Sequence, residues 1–363
     1  MPSAVPDNKR RSESTPTPSP STPPGKVLVT GAKGFVAGYL IQELLDNGHT
    51  VYGIDNLFKY GNVEKSYDNH PRYTFLKEDA KNVPQLKELL TDCDHLIANA
   101  AIIGGISLFH ELAYDLLAEN ERITASEFDA AIWAHKNRKL KKITVMSSSM
   151  VFESTRRYPT PEGEQLKSPP PLSTYGFQKL ACEYFAKGAY EQYGLPYTII
   201  RPFNCIGVGE KRAKVDKVVL SGNIKLAMSH VVPDLVQKVL KGQSPLHILG
   251  NGSQVRHYTY GGDLAQGIRL TLDHPQALNN DFNLSTSQST TVMELAELIW
   301  RKIKPGEPFH TVSDAPYSYD VQKRVPDVTK ARTILGFEAR TTLDQALDEI
   351  IPWVRREVES GDM

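Results

Sequence analysis

Tyr175 and Lys179 stand four residues apart, a spacing that puts both side chains on one face of a helix. A free phenol titrates near ~10, too high for a base at neutral pH. An ammonium beside it favours the phenolate. Such a pair can take a proton from a hydroxyl group, and a nearby serine can share that hydroxyl and assist the transfer. Ser147-Ser148-Ser149 offers serines at the end of the apolar run Ile143-Thr144-Val145-Met146. Upstream, Thr30-Gly31-Ala32-Lys33-Gly34-Phe35 reads as a turn between a strand and a helix. Gly31 permits the tight turn. Gly34 lets backbone N–H groups approach a pyrophosphate, where the helix dipole also favours an anion.

Positioning these groups requires an alternating fold. Lys26–Thr30 is a short β-branched run suited to a buried parallel strand. Phe35, Val36, Tyr39, Leu40, Leu44 and Leu45 then recur at helical spacing, and Thr50–Ile54 forms a second apolar run ending at Asp55. Asp55 follows the glycine turn by roughly 20 residues, where a carboxylate accepts hydrogen bonds from a ribose hydroxyl pair. A carboxylate there repels a 2′-phosphate, and Asn56-Leu57-Phe58 supplies no arginine to receive one, so NAD is expected rather than NADP. Further strands are expected at Tyr73–Leu76, His95–Ala98, Ile143–Met146 and Tyr197–Ile200, with a long helical pattern from Glu111 to Trp133. The fold class is therefore α/β: a Rossmann-type, doubly wound parallel sheet with a smaller C-terminal substrate-binding lobe. Asp55, Asp79, Ala100, Ser148 and Arg201 fall at or just past strand ends, where ligands bind in such sheets.

The bulk composition narrows the function. Forty-two basic and 42 acidic side chains cancel, which points away from nucleic acid or an anionic membrane as the main partner. Cys93, Cys182 and Cys205 are odd in number and widely spaced, giving neither a disulfide framework nor a metal-ligand pattern. A reducing, cytoplasmic setting and no metal are expected. No apolar run approaches membrane-spanning length. The chain divides into a Pro/Ser/Thr-rich tail over 1–25, expected to be disordered, a mainly dinucleotide-binding domain over 26–205, and a mainly substrate-binding lobe over 206–363 with segments returning to the sheet. Lys9-Arg10-Arg11 in the tail reads as a solvated charge run.

With these residues in place, the chain resembles the extended short-chain dehydrogenase/reductase family, in its nucleotide-sugar epimerase/dehydratase branch. The family fingerprint Thr-Gly-x-x-Gly-Phe-x-Gly appears as Thr30 to Ala37, with alanine replacing the last glycine. Asp55-Asn56-Leu57 resembles the ribose-binding segment, Asp79-Ala80 the adenine contact, and Asn99-Ala100-Ala101, loosely, the His-x-Ala-Ala turn. Arg201-Pro202-Phe203-Asn204 resembles the Arg-x-x-Asn segment whose Asn faces a substrate diphosphate. Gly250 to Arg256 and Arg324-Val325-Pro326-Asp327 resemble the segments whose arginines bind it. The resemblance implies NAD held by Gly31, Gly34, Phe35, Val36, Asp55, Asn56, Asp79, Ala80, Ala100, Tyr175 and Lys179. It implies a nucleoside-diphosphate sugar held by Ser149, Met150, Asn204, Arg256 and Arg324. It also implies catalysis by Ser148, Tyr175 and Lys179, Ser148 being the serine three residues before Val151-Phe152. Family members commonly form homodimers through two helices, here near Glu111–His135 and Tyr175–Tyr193.

Position 150 separates the branches of the family. Dehydratases and uronate decarboxylases carry Glu two residues after the catalytic Ser/Thr, and 3,5-epimerases carry Cys. Met150 is neither acid nor base, so the expected activity is epimerisation at C4 of a hexose or uronic acid through a transient 4-keto sugar. A dehydratase, a decarboxylase or a C4 oxidoreductase on the same scaffold is the alternative, and a non-catalytic dinucleotide-binding protein is a third. Phe152 and Glu153 depart from the family's Tyr and Gly. The lysines and arginine of Gly207–His230 read as solvated side chains on an insertion, with a loop covering an acidic sugar as the alternative. Ile102–Leu108, with Gly104-Gly105, is a candidate lining of the sugar pocket.

Overall fold

The computed structural model describes residues 24–103, 112–210, 217–219, 222–224, 230–316, 321–361 and 363. The first half runs β1 (Lys26–Thr30), α1 (Phe35–Asp46), β2 (Thr50–Asp55), β3 (Tyr73–Lys77), α2 (Val83–Leu89), β4 (His95–Ala98), α3 (Ala113–Asn137), β5 (Lys142–Met146), α4 (Thr174–Tyr193), β6 (Tyr197–Pro202) and β7 (Cys205–Ile206). The second half contains β8 (Lys217–Val219), β9 (Gly222–Ile224), α5 (Val231–Leu240), β10 (Leu246–Leu249), β11 (Val255–Arg256), β12 (Thr259–Tyr260), α6 (Gly261–Asp273), β13 (Asn280–Leu284), β14 (Thr290–Thr291), α7 (Val292–Ile303), β15 (Thr311–Asp314), α8 (Thr329–Leu335) and α9 (Leu343–Glu359).

Seven strands form one sheet in the order β13-β6-β5-β4-β1-β2-β3, and every adjacent pair is parallel. Chain direction across the sheet reverses between β1 and β4, the crevice where a doubly wound sheet takes its ligand. Alternation along β1 builds two cores. Val27 and Val29 pack with Leu40 and Leu44 of α1 and Ile268 and Leu272 of α6, while Leu28 packs with Phe128 and Ala131 of α3 and Ala186 of α4. β13 completes the sheet although it lies far along the chain, after the first lobe elements. A third core joins α5, α7 and α9 with β10, which among the described residues pairs with β15 alone.

α1 touches the second half directly. The Tyr39 hydroxyl accepts the Val208 N–H at 2.7 Å, and its ring meets the Tyr260 ring edge-on. Gly207 and Gly261 lie so close to it that a Cβ at either would come within 2.5 Å of Tyr39. No helix among the described residues is long and apolar enough to cross a membrane.

Candidate active site

At the end of β1 the backbone turns at Gly31, which has φ +69°. A Cβ there would be both strained and 3.0 Å from the Ala100 Cα, so only glycine lets β1 and the β4 turn approach this closely. The Thr30 hydroxyl accepts the Asn99 and Ala100 N–H groups at 3.0 and 2.9 Å. Asp55 ends β2. One of its oxygens accepts the Lys33 N–H at 3.0 Å and the other the Leu57 N–H at 2.7 Å. Burial pushes its carboxyl above the ordinary value. Asn56 donates to Asp79 across the neighbouring strand ends at 3.0 Å. A glycine cradle at a helix N-terminus and a carboxylate one strand over fit a dinucleotide with a free ribose diol, as NAD has.

The second wall comes from β5 and α4. Ser148 caps the short turn after β5, its hydroxyl accepting the Met150 N–H at 3.2 Å. Tyr175 and Lys179 lie on the first turns of α4, both nearly dry at 4% and 6% exposure. The Lys179 ammonium donates to the Met146 carbonyl at 2.9 Å, which fixes it beneath the end of β5. Ser173 caps α4 through the Gly176 N–H at 3.0 Å. Glu153, whose place in the sequence is a departure from the family, holds that cap. Its carboxylate accepts both the N–H and the hydroxyl of Ser173, at 3.0 and 2.8 Å.

Behind Ser147 lies a buried charge network that sequence reasoning missed. Glu183 accepts from the Ser147 hydroxyl at 2.7 Å, from Gln165 at 3.1 Å and from the Arg201 fork at 2.6 and 2.7 Å. Arg201 also pairs with Asp281, which pairs with Lys330. Arg201 therefore sits inside β6, fully buried, and cross-links α4 to β13 instead of lining the cavity. Only the fold brings these residues together, and no local pattern marks them.

Asn204, Arg256 and Arg324 reach the same cavity from the second half. Asn204 has φ +39°, and its buried amide oxygen has no hydrogen-bond partner among the described residues. Backbone bonds tie the two arginine segments together, Arg324 N–H to the Val255 carbonyl at 3.1 Å. Tyr258 stands between them. Its hydroxyl has no partner among the described residues, and burial pushes it well above the ordinary phenol value against the pull of both arginines. The sequence reading also missed Glu210, which lines the cavity and holds His230 at the start of α5.

The cavity measures about 1060 Å³. Gly31, Gly34, Phe35, Val36, Asp55, Asn56, Asp79, Ala80 and Ala100 line one arm. Ser148, Ser149, Met150, Tyr175 and Lys179 line the middle, and Asn204, Arg256 and Arg324 line the other arm. Every site residue named from the sequence thus faces one space. Gly104, Gly105 and the basic positions from Lys211 to Lys214 and at Lys225 lie outside the described residues.

A parallel seven-stranded sheet with its cavity over the β1/β4 switch point, and a Ser, Tyr and Lys on the wall, is the frame of a short-chain dehydrogenase/reductase. Within that class the chain belongs to the NAD dependent epimerase/dehydratase family, whose model matches residues 27–285, and its cofactor is NAD. An uncharacterized UDP-glucose epimerase of Bacillus subtilis is 27% identical over 348 residues, covering 91% of this chain and 98% of that one. A UDP-N-acetyl-alpha-D-glucosaminuronate decarboxylase of Bacillus cytotoxicus is 26% identical, covering 92% and 99%. The structure of a UDP-N-acetylglucosamine 4-epimerase from Methanobrevibacter ruminantium, in complex with UDP-N-acetylmuramic acid, superposes with a TM-score of 0.75 at 25% identity, covering 94% and 99%. The chain is thus an enzyme of the nucleotide-sugar epimerases, dehydratases and decarboxylases.

Proposed function

We propose that the protein is an NAD-dependent 4-epimerase of a nucleoside-diphosphate sugar. Met150 carries this reading. It lies two residues after Ser148, is buried and lines the cavity, at the position where elimination or decarboxylation in this family calls for a carboxyl. Epimerisation needs no such acid.

In the proposed reaction Tyr175 takes the proton of the sugar O4 hydroxyl, and Ser148 holds the same oxygen. Lys179 supplies the positive charge that favours the phenolate. NAD, when bound, takes up the C4 hydride and returns it. The diphosphate is gripped by Arg256 and Arg324, whose guanidinium forks suit phosphate oxygens, and by the Asn204 side chain. Held at that end only, the sugar can turn within the cavity and present its other face before the proton and hydride return.

We infer a UDP-sugar as the first substrate to try, from the relatives above. The reading extends to a cytoplasmic homodimer formed through α3 and α4, with Phe177 and Tyr184 of α4 exposed by 48% and 58%. Incubation with UDP-, GDP-, CDP- and dTDP-sugars without added NAD, followed by proton NMR and mass spectrometry, tests the activity. An isomer of unchanged mass inverted at C4 is expected. A product lighter by water or carbon dioxide would sink the epimerase and return the acid role to another cavity carboxylate, such as Glu119 or Glu210.

A further inference from the structure

One buried amide lies where three parts of the chain meet. Asn283, on β13 and in register with Arg201 of β6, is fully buried. Its Nδ2 group donates to the Thr160 carbonyl at 3.1 Å and to the Asp327 carbonyl at 3.2 Å. Its backbone N–H donates to the Glu162 carboxylate at 2.8 Å. Two carbonyls facing one side chain call for two donors on one nitrogen, which a primary amide supplies. Thr160 and Glu162 belong to the loop leading from the Ser148 turn to α4, and Asp327 closes the segment that carries Arg324. Loop and segment are joined by a short parallel bridge. The Thr160 N–H donates to the Val325 carbonyl at 2.8 Å, and the Asp327 N–H to the Thr160 carbonyl at 2.9 Å. On its other side the segment is tied to β11, the Val255 N–H donating to the Gln322 carbonyl at 2.8 Å and the Arg324 N–H to the Val255 carbonyl at 3.1 Å. Arg324 thus stands between two ties, one to the strand of Arg256 and one to the loop behind Ser148. Asn283 braces the second tie without itself reaching the cavity.

We propose that Asn283 is a positioning residue for the diphosphate grip, fixing Arg324 relative to the catalytic wall. The inference rests on the reading above that Arg324 holds the diphosphate. A guanidinium fork gains its full strength on phosphate oxygens only when both donors are aligned, so a small displacement of its backbone is felt in binding. Without the amide, the Asp327 carbonyl loses a donor in the interior, and the segment relaxes to recover one. Arg324 moves with it. The dinucleotide arm is spared, because Gly31 and Asp55 follow β1 and end β2, across the sheet from β13. The arrangement also explains why an amide rather than an apolar side chain suits the position. A leucine of the same shape fills the space but leaves both carbonyls short of a donor.

The test reads nucleoside diphosphate binding to the NAD-loaded full chain by titration calorimetry, so no sugar has to be identified. The probe is whichever of UDP, GDP, CDP and dTDP the parent binds most tightly. In Asn283→Leu its dissociation constant is expected to rise about tenfold, with NAD content at the parent level. In an Arg324→Ala background the same substitution should change the affinity by no more than about twofold, because an effect exerted through Arg324 disappears with it. Asn283→Ser, smaller and keeping one donor, repeats the cycle with an expected loss of about threefold should the leucine variant fold poorly. Unchanged affinity on substitution of Asn283, or a loss that persists in full without Arg324, would overturn the proposal. Unchanged affinity in Arg324→Ala alone would overturn the grip itself, and the proposal with it.

Discussion

Two lysines bracket strand β5. Lys142 opens it, and Lys179 donates to Met146, which closes it. Both are buried, at 1% and 6% exposure, and both donate to a backbone carbonyl, Lys142 to that of Thr271. Their surroundings differ. Lys142 meets the Thr198 hydroxyl at 3.2 Å and, among the described residues, no carboxylate partner, and burial pulls it down to about 7 against the opposition of Asp273. His95, in register with it on β4, is pulled down to about 3 by the same cause. Lys179 faces two carboxyls and opens onto the cavity. At the N-terminal edge of the sheet Lys142 and His95 thus form a dry pair driven toward neutrality. The C-terminal edge keeps polar groups where a ligand can meet them. A buried lysine therefore marks a site only when the space it faces is open.

Variants at the two edges should separate turnover from stability. Tyr175→Phe at the C-terminal edge should lower kcat by about 10²- to 10⁴-fold while leaving the thermal midpoint near that of the parent. Equal turnover in the two proteins would break the contrast. Asp55→Ala removes the acceptor of two backbone N–H groups, each to a charged oxygen worth about 1.5–3 kcal/mol. NAD retained through gel filtration, released by denaturation and quantified, should fall about tenfold or more.

Lys142→Met at the N-terminal edge should act on stability alone. The unfolded chain holds the lysine proton up to its ordinary value of 10.5, whereas the folded chain releases it above about 7. Wild-type stability thus gains from this group as pH rises through that window. Methionine should stabilise by about 1–3 kcal/mol at or below pH 7, and the advantage should fade toward pH 10. Denaturant melts at several pH values check this, and a pH-independent gap would show that Lys142 is not held as described. Glu153→Ala stands between the two edges. Loss of the support to the α4 cap should destabilise by about 1 kcal/mol and lower kcat modestly with KM unchanged, measured by steady-state kinetics beside the melts.

Much of the C-terminal edge was legible in the sequence because its signals are local. Gly31 needs its positive φ, Asp55 ends an apolar run, and Tyr175 and Lys179 share a helical face by spacing alone. β1 and β4 have the ends their apolar runs suggest, and β2, β3, β5 and β6 extend theirs by one or two residues. The N-terminal edge and the layer beneath the site were not legible. Lys142, Glu127 and Glu183 read as ordinary charged residues of a strand or helix. What distinguishes them is contact with Thr271, Thr30 and Arg201, which only the closed sheet supplies. The same holds for β10, an apolar run too short to identify without β15, its partner some 60 residues on. Glu153 was visible as an oddity, but its reason, the Ser173 cap, is set by how the turn after β5 folds onto α4.

Tyr39 fastens the helix under the dinucleotide arm to Gly207 and Gly261 of the other half. The contact leaves no clearance for a methyl group at either glycine, so the two halves have no slack to melt separately. β13, which brings later sequence into the sheet as its outermost strand beside β6, ties the halves together a second time. Calorimetry of the full chain should accordingly give one heat-absorption peak, and a fragment ending near residue 205 should not hold its own shape, however complete its dinucleotide motif looks on paper.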